Sequence, residues 1–207
     1  MHRIRNSLCT KKDENDTKKK TFTYEEQDEF AVVLYFFALV LCIAIFRARN
    51  FVYVDESGLN RYYRRLYARA KRGVKVHEKK PGKRVKKTNI IAGLLYGVSG
   101  KKHVAVRDYE HSTNSGFFED WFEWELLGAI PENSIIIMDN ASFHRKDRLI
   151  EIAGRYGSIV IFLPPYSPEF NPIEKSWANF KEWLKYNRSR FPSIDIAVYY
   201  YFSEYCY

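Results

Sequence analysis

Residues 1 to 29 are polar and charged and include the run Lys18-Lys19-Lys20, a composition that predicts a tail or linker rather than a packed element. The pattern then changes abruptly. Phe30 to Phe46, FAVVLYFFALVLCIAIF, holds 17 residues without a charge and is followed by Arg47 and Arg49. A bilayer span takes about 20 apolar residues, so this run is slightly short for one. Its leading flank is acidic (Glu25, Glu26, Asp28, Glu29), unlike the basic start of a secretory signal. Three readings stay open for 30 to 46: a single membrane span, a helix or strand buried against the domain, or a remnant of altered coding sequence with no selected structure. A span followed by so many basic residues would keep the next domain in the cytoplasm.

From residue 51 short apolar runs alternate with amphipathic ones. Phe51 to Asp55 predicts a buried strand, and Gly73 to Val76 and Asn89 to Val98 predict two more, the last slightly weakened by Gly93 and Gly97. His103 to Tyr109 alternates apolar and polar residues, as an antiparallel strand does. Asn114 is a helix cap before Gly116 to Leu127, where Phe117, Phe118, Trp121, Phe122, Trp124 and Leu126 recur at near-helical spacing. Ser134 to Asp139 predicts a strand, Lys146 to Tyr156 a helix closed by Gly157, and Ser158 to Leu163 a further strand. After a proline-rich stretch, Ile173 to Tyr186 predicts a helix with Trp177, Phe180 and Trp183 on one face. This order specifies an α/β domain with a mixed sheet covered by helices on both faces. The aromatic run Val198 to Phe202 is expected to pack on it.

Charge adds a partner class. The chain nets +9, yet residues 61 to 87 alone hold 13 Lys or Arg against the single acid Glu78, a local excess of +12. Such clustering fits a phosphate-binding surface, or else a solvated basic loop. Arg61, Arg64, Arg65, Arg69, Lys71 and Arg72, interleaved with Tyr62, Tyr63 and Tyr67, are the backbone-contact candidates. Cys9, Cys42 and Cys206 are too scattered for a disulfide framework or a zinc cluster, which points to a reducing compartment. No His-x-x-x-His pair is present.

Three acids carry the candidate chemistry. Asp55 and Asp139 each end an apolar run, and Glu174 follows Pro164-Pro165-Tyr166-Ser167-Pro168-Glu169-Phe170-Asn171-Pro172-Ile173. Asp at a strand end is commonly a turn residue or cap, and Glu in a first helical turn favours the helix dipole. Together, however, carboxylates at strand tips suit hard divalent cations, two of which can clamp an in-line phosphoryl displacement. Glu56 is excluded from the same site, because adjacent strand residues face opposite ways. Asn140 and His144 are candidates for DNA contact or for supporting the metal ligands, His144 being equally a helix-start residue. Lys175 and Lys181, beside Glu174, are candidates for phosphate contact. The prolines are expected to stiffen the loop that places Glu174.

Val54-Asp55-Glu56-Ser57-Gly58, Met138-Asp139-Asn140-Ala141-Ser142-Phe143-His144 and the proline block ending Asn171-Pro172-Ile173-Glu174 closely resemble the transposases of the mariner superfamily, in particular its bacterial insertion-sequence branch. The 34 residues between Asp139 and Glu174 agree with that family's spacing. The resemblance covers residues 51 to 190. It implies a ribonuclease H-like catalytic domain, a short N-terminal segment foreign to the family, and a C-terminal extension from 191 to 207. It also implies that Asp55, Asp139 and Glu174 are an Asp-Asp-Glu triad for two magnesium or manganese ions, serving DNA cleavage at element ends and strand transfer into target DNA. Double-stranded DNA, a homodimer on that DNA and a cytoplasmic, nucleoid-associated location follow as expectations, with membrane anchoring through 30 to 46 as the alternative. Family members carry helix-turn-helix modules before this domain, whereas residues 1 to 50 show no such pair. A truncated, catalytically idle DNA-binding remnant is therefore the competing expectation.

Overall fold

The computed structural model describes residues 27–46, 50–59, 70–73, 75, 77, 87–97 and 100–205. Five strands form one mixed sheet: β1 (Asn50–Leu59), β2 (Thr88–Gly97), β3 (Gly100–Tyr109), β4 (Ser134–Met138) and β5 (Ile159–Phe162). Their spatial order is β3-β2-β1-β4-β5. The first three are antiparallel neighbours, while β4 runs parallel to β1 and to β5. The strand Ser134–Met138, apolar from Ile135 onward, is buried at every position, as a parallel strand covered on both faces must be. Asp55, midway along β1, and Asp139, just past the end of β4, are thereby brought level on adjacent strands, because β1 and β4 run in register from Asn50 opposite Ser134 to Tyr53 opposite Ile137.

One face of the sheet is covered by α2 (Ser115–Trp121), a wide π-helical turn at Phe122–Leu126, α3 (Leu127–Ala129) and α4 (Lys146–Arg155). Asn114 caps α2 as expected, its side chain accepting from the Phe117 amide. The wide turn has a packing consequence. It rotates Leu126 onto the buried face alongside Phe118, Trp121 and Phe122, and leaves Glu125 outward, where it pairs with Arg107. Leu126 then meets the sheet at Gly93: a Cβ there would lie 2.7 Å from its Cδ1, 3.0 Å from Val104 Cγ2 and 3.1 Å from Val52 Cγ1. The glycine that weakens β2 by propensity is thus required by close approach. Gly93→Ala is expected to destabilise the fold by about 1–3 kcal/mol, read as a lowered urea midpoint at unchanged slope.

The other face is covered by α5 (Ile173–Asn187), α6 (Ile194–Tyr200) and, over β4 and β5, α1 (Glu29–Phe46). On α5, Ile173, Trp177, Phe180 and Leu184 are buried at helical spacing, with Trp183 half-buried beside them. Tyr201 and Phe202 pack their rings, tilted, against Phe180, so the aromatic C-terminal run does pack on the domain.

Two expectations change. Gly73 and Lys75, the described residues of the expected strand Gly73 to Val76, are not in one: Arg72 and Gly73 form a turn with Gly73 at φ +88, a conformation strands do not use, and residues 74 and 76 lie outside the described set. The apolar run 30 to 46 is a helix laid against the sheet, and among the described residues no helix is long and apolar enough to cross a membrane. Asp28 caps it, accepting from the Phe30 and Ala31 amides. Tyr35, Leu39 and Cys42, one stripe at i, i+4 and i+7, join the cluster of Ile135, Ile137, Ile161 and Leu163. Tyr35 also stacks on Phe170 with ring centroids 5.9 Å apart, and Gln27 donates to Ser167 and Glu169. The segment therefore braces the proline-rich loop, a role hidden in the sequence because every face of the helix is apolar.

Candidate active site

Asp55, Asp139 and Glu174 line one open cleft of about 480 Å³, together with Asn140, Tyr166 and Asn171. Each acid is delivered by a different device. Asp55 lies within β1 on the face that meets α5, and there Trp177 Nε1 donates to its Oδ2 at 2.9 Å. Asp139 follows the last residue of β4. Its Oδ1 accepts from the Ala141 amide at 3.1 Å, a short turn that sets the side chain at the cleft mouth. Glu174 sits in the first turn of α5, where its amide donates to Asn171 O. Asn171 is buried and its Nδ2 reaches Val54 O at 3.3 Å, tying the proline loop to the strand that carries Asp55. Asn140 Nδ2 donates to Leu163 O at 2.9 Å and clamps the ends of β4 and β5 together.

The electrostatics follow from depth. Asp55 is half-buried, whereas Asp139 and Glu174 are exposed. Burial pushes the Asp55 carboxyl up to about 8, and the neighbouring carboxylates Glu174, Glu56 and Asp139 add to the shift in that order. A cluster of acids that resists ionisation at its deepest member is a setting in which a bound cation gains the most. Oxygen-only donors suit magnesium or manganese rather than a soft metal. The donor atoms are of the right chemical type, but among the described residues no three His, Cys, Asp or Glu side chains stand close enough to ligate an ion as they are. The three carboxylates share a cleft without converging on a point.

The remaining candidates separate. Lys71 and Arg72 are exposed, and Arg61, Arg64, Arg65 and Arg69 lie outside the described residues. Lys175 is exposed beside Glu174, and Lys181 is half-buried on the same stripe of α5, about 10 Å further along the helix from Glu174. His144 is not available for DNA contact: its side chain is 1% exposed and faces Glu56 and Asp139 from beneath the cleft. It also precedes α4 rather than starting it, since Arg145 holds the cap position. Glu56 points away from Asp55, as the strand period requires.

The sequence placed Trp177 on one helix face with Phe180 and Trp183. It is buried, yet its ring N–H also holds Asp55. The signal was its position three residues after Glu174, which puts both on one side of the helix. Tyr166 was read only as part of the stiff loop. It is exposed at the cleft with φ +55, a backbone state that costs a non-glycine residue about 1–2 kcal/mol.

Among solved structures the fold is similar to that of Mos1 transposase. The Mos1 paired-end complex with left transposon end matches at TM-score 0.53 and 15% identity over 81% of this chain and 52% of that chain. The Mos1 strand transfer complex matches at 0.53 and 16% over 81% and 52%, and the Mos1 mariner paired end complex with Mn at 0.51 and 15% over 81% and 53%. The chain thus spans about half the length of these transposases and shares with them a ribonuclease H-like sheet flanked by helices. No curated protein matches it. Residues 50–195, most of the chain and the whole of the cleft just described, match the family model of the DDE superfamily endonucleases, and the chain belongs to that family.

Proposed function

We propose that this chain is a transposase catalytic domain of the mariner superfamily that cuts DNA at element ends and joins it to target DNA, with Asp55, Asp139 and Glu174 as the metal-binding triad. The observation that carries the reading is the single cleft lined by all three acids inside a family-matched domain. The wording of the three motifs favours the bacterial insertion-sequence branch. Two magnesium or manganese ions at this cleft would activate the attacking water or 3′-hydroxyl and neutralise charge on the leaving oxygen.

The chain's own residues do the rest. Trp177 and Asn171 hold Asp55 and the Glu174 loop in one frame, and Asn140 fixes the strand ends beneath Asp139. Lys175 and Lys181 on α5, with Lys71, Arg72 and the basic residues Arg61, Arg64, Arg65 and Arg69, supply phosphate contacts whose strength falls with salt. DNA duplexes are the partner, two copies of the chain are expected on paired ends, and a cytoplasmic location goes with that substrate.

The test is nicking of supercoiled plasmid by the full chain. Cleavage with magnesium or manganese that stops on adding EDTA supports the reading. Salt-dependent DNA binding without any metal-dependent cleavage would replace it with an idle DNA-binding remnant.

A further inference from the structure

The helix α1 buries one stripe against the sheet and leaves the opposite stripe bare. Among the described residues, eight of the fifteen exposed large hydrophobic side chains lie on this one helix. Phe30, Val33, Phe37 and Val40 are 70%, 63%, 62% and 61% exposed and recur at alternating steps of three and four, the spacing of a coiled-coil seam. Leu34 and Leu41 flank them, and no charged or polar side chain interrupts the face. These six side chains expose on the order of 600 Å², the upper end of what a monomer leaves in one apolar patch and most of the roughly 800 Å² that one partner brings to a standard interface.

A second copy of the same helix fits this face. A seam of this spacing is self-complementary, so one stripe packs on its own twin across a two-fold axis. Asp28 and Glu29 stand at the start of the helix, and Arg47 and Arg49 follow it in the sequence. An antiparallel pair therefore brings unlike charges together at both ends and opposes the two helix dipoles. A lipid surface fits less well. At 18 residues the helix is about 27 Å long, short of a hydrocarbon core of about 30 Å. Its inner stripe is already held by Ile135, Ile137 and Ile161, and it carries none of the lysines or arginines by which helices lie on anionic lipid. Residues 1 to 26 are mostly polar or charged and hold few apolar side chains to lay on it.

We propose that the outer face of α1 is a dimer interface, in which α1 packs antiparallel on α1 of a second copy. The interface adjoins the catalytic frame: Phe36, at its edge, is 45% exposed and meets Phe170 of the proline-rich loop with ring centroids 5.2 Å apart. Pairing thus clamps from outside the segment that leads to Glu174. The inference goes beyond the proposed DNA chemistry, since this association needs neither DNA nor metal.

Sedimentation velocity of the full chain, free of DNA, metal and detergent, reads the association. A dimer is expected at about 10 µM chain, because interfaces of this size bind in the micromolar range or tighter. Phe37→Glu, at the centre of the seam, is expected to raise the dissociation constant about a hundredfold, since each dimer would bury two unpaired carboxylates. Phe37→Lys should do the same, and mixing the two variants should restore much of the association, because the seam meets itself there. Phe37 is exposed in the single chain, so both variants should keep the far-ultraviolet dichroism of wild type. If either does not, Val33→Gln combined with Val40→Gln takes its place, with a loss of about tenfold or more expected. Wild type that remains a monomer at about 100 µM overturns the proposal, as that is far weaker than interfaces of this size. An oligomer that the substitutions leave unchanged overturns it equally. A chain that is monomeric in buffer and cosediments with phosphatidylcholine–phosphatidylglycerol vesicles gives the face to lipid instead.

Discussion

Glu174→Gln in the full chain is expected to lower metal-dependent nicking on the order of a thousandfold, the scale of losing one preorganised electrostatic group at a phosphoryl-transfer site. The substitution is close to isosteric. Glu174 is exposed at the cleft mouth, and its anchor to the loop is its backbone amide rather than its side chain. Stability should therefore change by less than about 0.5 kcal/mol, the usual range for a surface position. Loss of cleavage with an unmoved urea midpoint is the diagnostic combination. A variant that cuts as fast as wild type would remove Glu174 from the triad and leave the proline loop as a structural element only. DNA binding measured at the same salt should survive, because the proposed phosphate contacts are made by lysines and arginines rather than by Glu174.

The second large effect concerns Asp55 and pH. Its folded-state carboxyl sits near 8 against an ordinary value of 3.8, raised by burial and then by the surrounding acids. Between those values the folded chain keeps a proton that the unfolded chain has released. The stabilising contribution is therefore complete below about pH 4 and is lost as pH rises through about 8. The slope is about 1.4 kcal/mol per pH unit, and the loss over the whole window is at most on the order of 5 kcal/mol. Asp55→Asn, whose amide oxygen can still accept from Trp177, should show a distinctly flatter stability profile in EDTA and should exceed wild type in urea midpoint at pH 8. Cation binding requires the ionised carboxylate, so manganese affinity of wild type should climb up to about tenfold per unit between pH 6 and 8 and release a proton on binding. Superimposable profiles for wild type and variant would show that Asp55 ionises at an ordinary pH and that its burial is compensated.

Both effects start from residues that were legible in the sequence, for identifiable reasons. Asp55 and Asp139 stood out because each terminates an apolar run of strand length. Glu174 stood out because prolines isolate it and a helix follows. The strand and helix order from 89 onward was readable because buried strands are continuous in hydrophobicity and helices are not. Gly73 to Val76 misled because Val-x-Val beside a glycine has strand composition, while the turn at Arg72 and Gly73 is a matter of backbone dihedral rather than pattern. His144 was left open by the sequence between DNA contact, support of the metal ligands and a helix start, and its burial comes from packing against Phe118 and Phe143, which no local pattern shows.

By itself the amino-acid order determined the class of fold, the three acids and the family to which their settings belong, since periodicity, strand length and proline punctuation are local properties of a chain. Tertiary structure alone decided where the apolar segment 30 to 46 goes, which residues stand behind the acids and how strongly Asp55 resists ionisation. Those outcomes depend on distances between groups more than a hundred residues apart, such as Trp177 to Asp55 or Asn171 to Val54, and no local pattern encodes a distance.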